Sequence, residues 1–136
     1  MEIESEFIAD GAARIGHAKY QTIVTSGNHT IVVDEPAIME GADTGMSPYG
    51  LLLGSLASCT AITLRMYINR KIWMVDEIAV NVELFKTKQG VVIESQITFK
   101  GNLTGEQLNR LVTIADACPI HKLLTGNIVI NTTLVT

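Results

Sequence analysis

The chain carries two cysteines, Cys59 and Cys118. A thiolate with a second thiol in reach can reduce a peroxide and then protect itself by closing a disulfide. The competing reading is plain packing, because a free cysteine often behaves as a small buried hydrophobe. Three further residues bear on the choice. Pro119 follows Cys118, and a proline suits the first position of a helix. That would make Cys118 the N-cap, where free backbone N–H groups and the positive end of the helix dipole lower a thiol pKa. Asp116 would oppose that effect, and His121 stands three residues on, at helical spacing.

Cys59 lies in the apolar run Leu51–Leu64. Burial among Leu56, Ile62 and Thr63 would raise its pKa, so a reactive role there requires a cation from elsewhere in the fold. The candidates are Arg14, Lys19, Arg65, Arg70, Arg110 and Lys122. A zinc set drawn from Cys59, Cys118, His29 and His121 lacks the paired ligand spacing of closed zinc sites. Gly41–Gly45 is followed by no P-loop lysine, and no Ser-His-Asp signature can be placed.

The elements that must position the thiols follow from pattern. Glu2, Ile3, Glu4, Ser5, Glu6 and Phe7 alternate with strand periodicity, and Asp10-Gly11 reads as a hairpin turn. Strands are expected over Lys19–Val24 and Thr30–Val33, separated by Ser26-Gly27-Asn28. Ser47 is a favourable N-cap and Pro48 a favourable first residue for a helix reaching about Lys71. That helix is apolar on nearly all sides, which predicts a buried helix. Ile78–Leu84 and Val91–Phe99 alternate and form a hairpin across Lys86–Gly90. Thr104 and Gln107 form a capping box, with Leu108, Leu111, Val112 and Ala115 on one face of the helix it starts. A short helix follows from Pro119 to about Leu124, and Ile128–Val135 is the last expected strand.

The expected order is βββ-α-ββ-αα-β, an α+β fold in one domain spanning residues 1–136. A helix buried on every side needs more apolar cover than one small chain supplies, so a symmetric homodimer is expected. The formal net charge is −4, with 47% hydrophobic and 18% charged residues. That balance indicates a globular chain and disfavours nucleic acid or an anionic membrane as partner. Glu2, Glu4 and Glu6 stand where a signal peptide would need a basic and then an apolar region. The interrupted run Leu51–Leu64 is short for a membrane span. The expected location is the cytoplasm, where cysteines rest free or are transiently oxidised.

The segments Asp34-Glu35-Pro36, Gly45-Met46-Ser47-Pro48-Tyr49, Leu51–Tyr67 around Cys59, and Ile114-Ala115-Asp116-Ala117-Cys118-Pro119-Ile120-His121 resemble the OsmC/Ohr family. Ser47-Pro48-Tyr49 and Cys118-Pro119-Ile120-His121 resemble its OsmC-like branch more than the organic hydroperoxide resistance branch. The resemblance implies an intertwined homodimer and a thiol peroxidase acting on organic hydroperoxides. It implies that Cys59 attacks the peroxide, that Cys118 resolves the sulfenic acid as a disulfide, and that an external dithiol restores both; it implies no metal or organic cofactor. The family pattern also carries an activating arginine in the N-terminal strands, for which Arg14 is the nearest candidate. A glutamate near the start of the central helix holds that arginine, and here Tyr49 and Gly50 stand at its position. That departure admits a second reading: a non-catalytic dimer that binds a small apolar or thiol-bearing ligand.

Overall fold

A computed structural model describes residues 4–135 of the chain. Its elements are β1 (Ala12–Ile15), β2 (Thr22–Ser26), β3 (His29–Val33), a 3-10 turn (Ala37–Met39), α1 (Pro48–Lys71), β4 (Val75–Thr87), β5 (Gly90–Gly101), α2 (Gly105–Ala115) and α3 (Pro119–Thr125). The fold is α+β, with two antiparallel sheets. Two compact units divide between Leu51 and Leu52.

The first unit is a three-stranded meander in the order β1-β2-β3. Ala12 pairs with Thr25, Ile15 with Thr22, and Thr22 with Val33. The two-residue loop Gly27-Asn28 joins β2 to β3, and Gly27 takes φ 57°, the sign such hairpin loops favour. The first strand forms after Asp10-Gly11, not before it. Glu2 and Ile3 lie outside the described residues, and residues 4–10 form no strand. Alternation alone makes no strand without a ladder partner, and it is Ala12–Ile15 that lies opposite β2. The second strand starts at Thr22 rather than Lys19, because Lys19 (φ 49°) lies in a turn closed by Gln21 N–H to the Ala18 carbonyl at 3.0 Å.

The loop after β3 is organised by one buried carboxylate. Asp34 is 1% exposed. It accepts the Glu35 N–H at 2.8 Å, the Thr44 N–H at 3.1 Å and the Thr44 hydroxyl at 2.6 Å. The hydrogen bond from the Thr44 hydroxyl is the main reason its carboxyl lies below the usual range, and it outweighs the opposing effect of burial. The loop runs so close to β3 and its own start that side chains at Gly41 and Gly45 would collide with the carbonyls of Glu35 and Val32. It delivers Ser47, whose Oγ accepts the Gly50 N–H at 3.0 Å, and α1 begins at Pro48 as its sequence requires.

In the second unit, α1 buries Leu56, Thr60, Leu64 and Ile68, one residue per turn. Leu64 and Ile68 join Val75, Leu111 and Ala115 in the core, edged by Trp73, Ile78, Ile97 and Phe99. Within one chain only that stripe is enclosed, while Leu52, Ile62 and Met66 are exposed. The helix also extends well past Leu51–Leu64, and by length and composition Pro48–Lys71 is long and apolar enough to cross a membrane. Its buried stripe is nevertheless part of this unit's core.

The long hairpin β4-β5 pairs Ile78 with Phe99, Val80 with Ile97 and Leu84 with Ile93. The capping box forms: the Thr104 Oγ1 accepts the Gln107 N–H at 3.1 Å and the Gln107 Oε1 accepts the Thr104 N–H at 2.9 Å. Leu111 and Ala115 are the buried face of α2, while Val112 is exposed. The expected strand Ile128–Val135 is not formed among the described residues. Its β-branched composition supplies propensity, but no strand of this chain pairs with it, and Val129, Ile130 and Leu134 stay exposed.

The end of α1 holds local strain. The Ile72 N–H donates to the Asn69 carbonyl at 3.2 Å and the Trp73 N–H to the Ile68 carbonyl at 3.1 Å. This is the Schellman closure, whose left-handed position normally falls to glycine, yet here Ile72 takes it with φ 56°. Ile72 is also exposed, so its side chain loses little burial when removed. Ile72→Gly is expected to raise the unfolding free energy by about 1 kcal/mol, measured by urea denaturation. An unchanged or lower midpoint would count against the strain.

Candidate active site

Both candidate cysteines lie in the second unit, on elements that the core fixes. Cys59 precedes Thr60 of the buried α1 stripe and is half-buried; Cys118 is fully buried. Leu111, Ala115 and Cys118 continue one face, at spacings of four and three, from α2 into the bend. The Cys118 N–H still donates to the Ala115 carbonyl at 3.3 Å. Pro119 then starts α3, with Cys118 as its N-cap. The Lys122 N–H donates to the Cys118 carbonyl at 3.1 Å.

The fold brings the two thiols side by side, close enough for each to shift the other's pKa. Burial pushes the Cys118 thiol up, but the hydrogen bonds it receives outweigh that effect and bring it below its ordinary value. They come from the Cys59 thiol, the His121 N–H, the Thr60 hydroxyl and the Ile120 N–H. Cys59 moves the other way. Burial raises it first, and the bond and charge of Cys118 raise it further; the Ile120 N–H and the Thr63 hydroxyl offset this only in part. Of the two, Cys118 is the more acidic thiol.

Thr60 is the residue that sequence reasoning missed. Its hydroxyl donates to the Leu56 carbonyl at 2.9 Å and lies near enough to Cys118 to lower that thiol's pKa. The available signal was its place as the one polar member of the stripe Leu56–Thr60–Leu64–Ile68. His121 stands three residues after Cys118, but its ring does not serve the thiol. It is the backbone N–H that does so, while the ring Nδ1 stands 4.0 Å from an Asp116 carboxylate oxygen.

The groups that shift the two thiols are sulfur, hydroxyl and backbone N–H; no guanidinium or ammonium of this unit is among them. Arg65 donates to the Val75 carbonyl at 2.9 Å, and the Arg110 Nε donates to the Tyr67 hydroxyl at 3.1 Å. Arg14 lies on β1 opposite Ile23, exposed, in the first unit. Tyr49 is exposed in the first turn of α1. Among the described residues, no group of three or more histidine, cysteine or acidic side chains is placed to hold a metal ion. A cleft of about 380 Å³ lies beyond Thr60 and His121, with Leu56, Ile93, Ile97 and Val112 in its walls.

The OsmC-like protein family model matches residues 41–133. The chain belongs to this family. An OsmC-like protein from Mycoplasma pneumoniae has a similar structure, with a TM-score of 0.75 at 18% identity and 90% of each chain covered. The organic hydroperoxide resistance protein OhrB of Bacillus subtilis is 28% identical, with a TM-score of 0.60 over 89% of this chain and 93% of its own. An organic hydroperoxide resistance protein OsmC from Legionella pneumophila gives a TM-score of 0.64 at 19% identity, over 91% and 93%. No curated protein matches the chain in sequence. The family thus spans the fold of this OsmC-like chain and relatives named for hydroperoxide resistance.

The opposed shifts predict a characteristic stability profile. Between the lowered value of Cys118 and the ordinary thiol value, the unfolded chain binds the extra proton, so stability rises with pH. Between the ordinary value and the raised value of Cys59, the folded chain holds the extra proton, so stability falls with pH. Urea denaturation across this range is expected to give a maximum near the ordinary thiol pKa. Cys118→Ser should remove the rising limb. An identical profile in that variant would refute the assignment.

Proposed function

We propose that this OsmC-like chain is a thiol-dependent peroxidase that reduces organic hydroperoxides, with Cys59 as the attacking thiol and Cys118 as the resolving thiol. The observation that carries the reading is the closeness of the two thiols, each of which shifts the other's pKa. A sulfenic acid formed on Cys59 would have its resolving partner already in reach. Both thiols are free, as expected of a resting enzyme in the cytoplasm, and an external dithiol would return the disulfide to that state. The half-buried position of Cys59 suits it to meet a substrate, and the full burial of Cys118 suits it to a partner already inside.

A homodimer is part of the proposal. The exposed residues Leu52, Ile62 and Met66 of α1 and Ile128, Val129 and Ile130 beyond α3 are apolar cover without an occupant in this chain, and a second copy would bury them. Light scattering of the purified protein at micromolar concentration is expected to give twice the chain mass; a monomer there would remove this part.

One observation favours the alternative, a binding protein for a small apolar ligand. The cleft walled by Leu56, Ile93, Ile97 and Val112 is of ligand size, and neither thiol lines it. Reduced protein mixed with one equivalent of cumene hydroperoxide separates the readings. The peroxidase is expected to lose both thiols and the mass of two hydrogens, and Cys59→Ser to consume no peroxide. Unchanged thiols in the native chain would leave the binding reading in front.

A further inference from the structure

We infer that the cleft where the end of α1 meets α2 is a second binding site, which takes a small planar ring bearing a carboxylate or phosphate. The inference does not depend on the peroxidase reading.

The cleft is about 510 Å³, of ligand size, and it shares no residue with the cleft beside Thr60 and His121. It also lies apart from the thiols. Tyr67, in its wall, follows Cys59 on α1 by two turns, about 12 Å along the helix axis.

Two aromatic rings form one part of the wall. Tyr67 and Trp73 meet edge to face with ring centres 5.6 Å apart, and both are half-buried against the core. Two cations line the cleft with them. The Lys71 ammonium stands 5.6 Å and the Arg110 guanidinium 5.8 Å from the centre of the Tyr67 ring, within cation–π range. The Arg110 Nε also donates to the Tyr67 hydroxyl at 3.1 Å. One tyrosine therefore holds both positive charges at the same cleft, and side chains already held lose less freedom when a ligand arrives.

What these cations lack is an anion. Among the described residues neither is in an ion pair, and the two terminal nitrogens of Arg110 have no protein acceptor. Those nitrogens match the paired oxygens of a carboxylate or phosphate. Among the described residues Glu106 is the one carboxylate in the lining, so positive charge is in excess here, on a chain whose net charge is −4. Charge alone would accept any anion. The ring is specified by Tyr67 and Trp73, which offer it stacked or edge-to-face contact.

Trp73 is the chain's one tryptophan, so its emission reports on this cleft. Benzoate and phenyl phosphate are each expected to change that emission saturably, with a Kd of about 1 mM, the range of so small a ligand. Whichever binds more tightly identifies the anion. Benzylamine, a similar ring with a positive charge, and inorganic phosphate, an anion without a ring, are expected to bind more weakly by about tenfold or more. Arg110→Gln should weaken benzoate binding by about tenfold and Lys71→Gln by about threefold, with urea midpoints showing that both variants fold. Saturation-transfer NMR on benzoate and phenyl phosphate detects binding that leaves the tryptophan emission unchanged. Three results would each overturn the inference: neither anion bound by either measurement, benzylamine or inorganic phosphate bound as tightly as benzoate, or benzoate binding unaltered in both variants.

Discussion

The burial of Leu64 and Ile68 against Leu111 and Ala115 is the contact on which the thiol site depends. Each fully buried aliphatic side chain of this kind contributes about 1.5–3 kcal/mol, and together they fix the rotation of α1 and the end of α2. Helical geometry does the rest. A stripe of one residue per turn that includes Thr60 sets Cys59 beside it, half-covered. A stripe through Leu111 and Ala115 leads at the next step to Cys118, at the point where Pro119 prevents α2 from continuing. The two sulfurs meet because two apolar stripes meet.

The parts of this arrangement that were legible in the sequence are those governed by contacts within a few residues. Ser47-Pro48, Thr104 with Gln107, the Lys86–Gly90 hairpin and Cys118-Pro119 each specify their own backbone hydrogen bonds, and each forms as the residue types require. The first and last strands were not legible in the same way. A strand exists through its partner: β1 was displaced to the segment that faces β2, and Ile128–Val135 stands unpaired in this chain. The rotation of α1 was hidden for a related reason. Its faces are apolar nearly all round, so periodicity had no contrast with which to choose the enclosed side. Thr60 was overlooked because its role arises from Cys118, a residue far along the chain.

The electrostatics of the pair also follow from position rather than from composition. Two identical thiols acquire opposite shifts because the donors are unequally shared. Three groups besides Cys59 lower the Cys118 pKa, whereas only the Ile120 N–H and the Thr63 hydroxyl lower that of Cys59. Asp116, which the sequence suggested would weaken a Cys118 thiolate, is directed toward the His121 ring instead. The histidine contributes to the site through its main chain, a role no side-chain pattern encodes.

Were the proposed disulfide to close, the two sulfurs would have to approach to about 2 Å, and the fold would distribute that adjustment unevenly. Cys59 is carried by a helix anchored at Leu56, Thr60, Leu64 and Ile68, whose displacement would open the core. Cys118 sits in the bend between α2, which buries Leu111 and Ala115, and α3, which has no buried residue. The Ala115 carbonyl restrains the Cys118 N–H on one side, while the Lys122 N–H that accompanies its carbonyl belongs to a helix with no fully buried residue. The approach is therefore accommodated most readily at α3. That movement would carry the Ile120 and His121 N–H groups away from a sulfur that, once oxidised, bears no charge for them to hold.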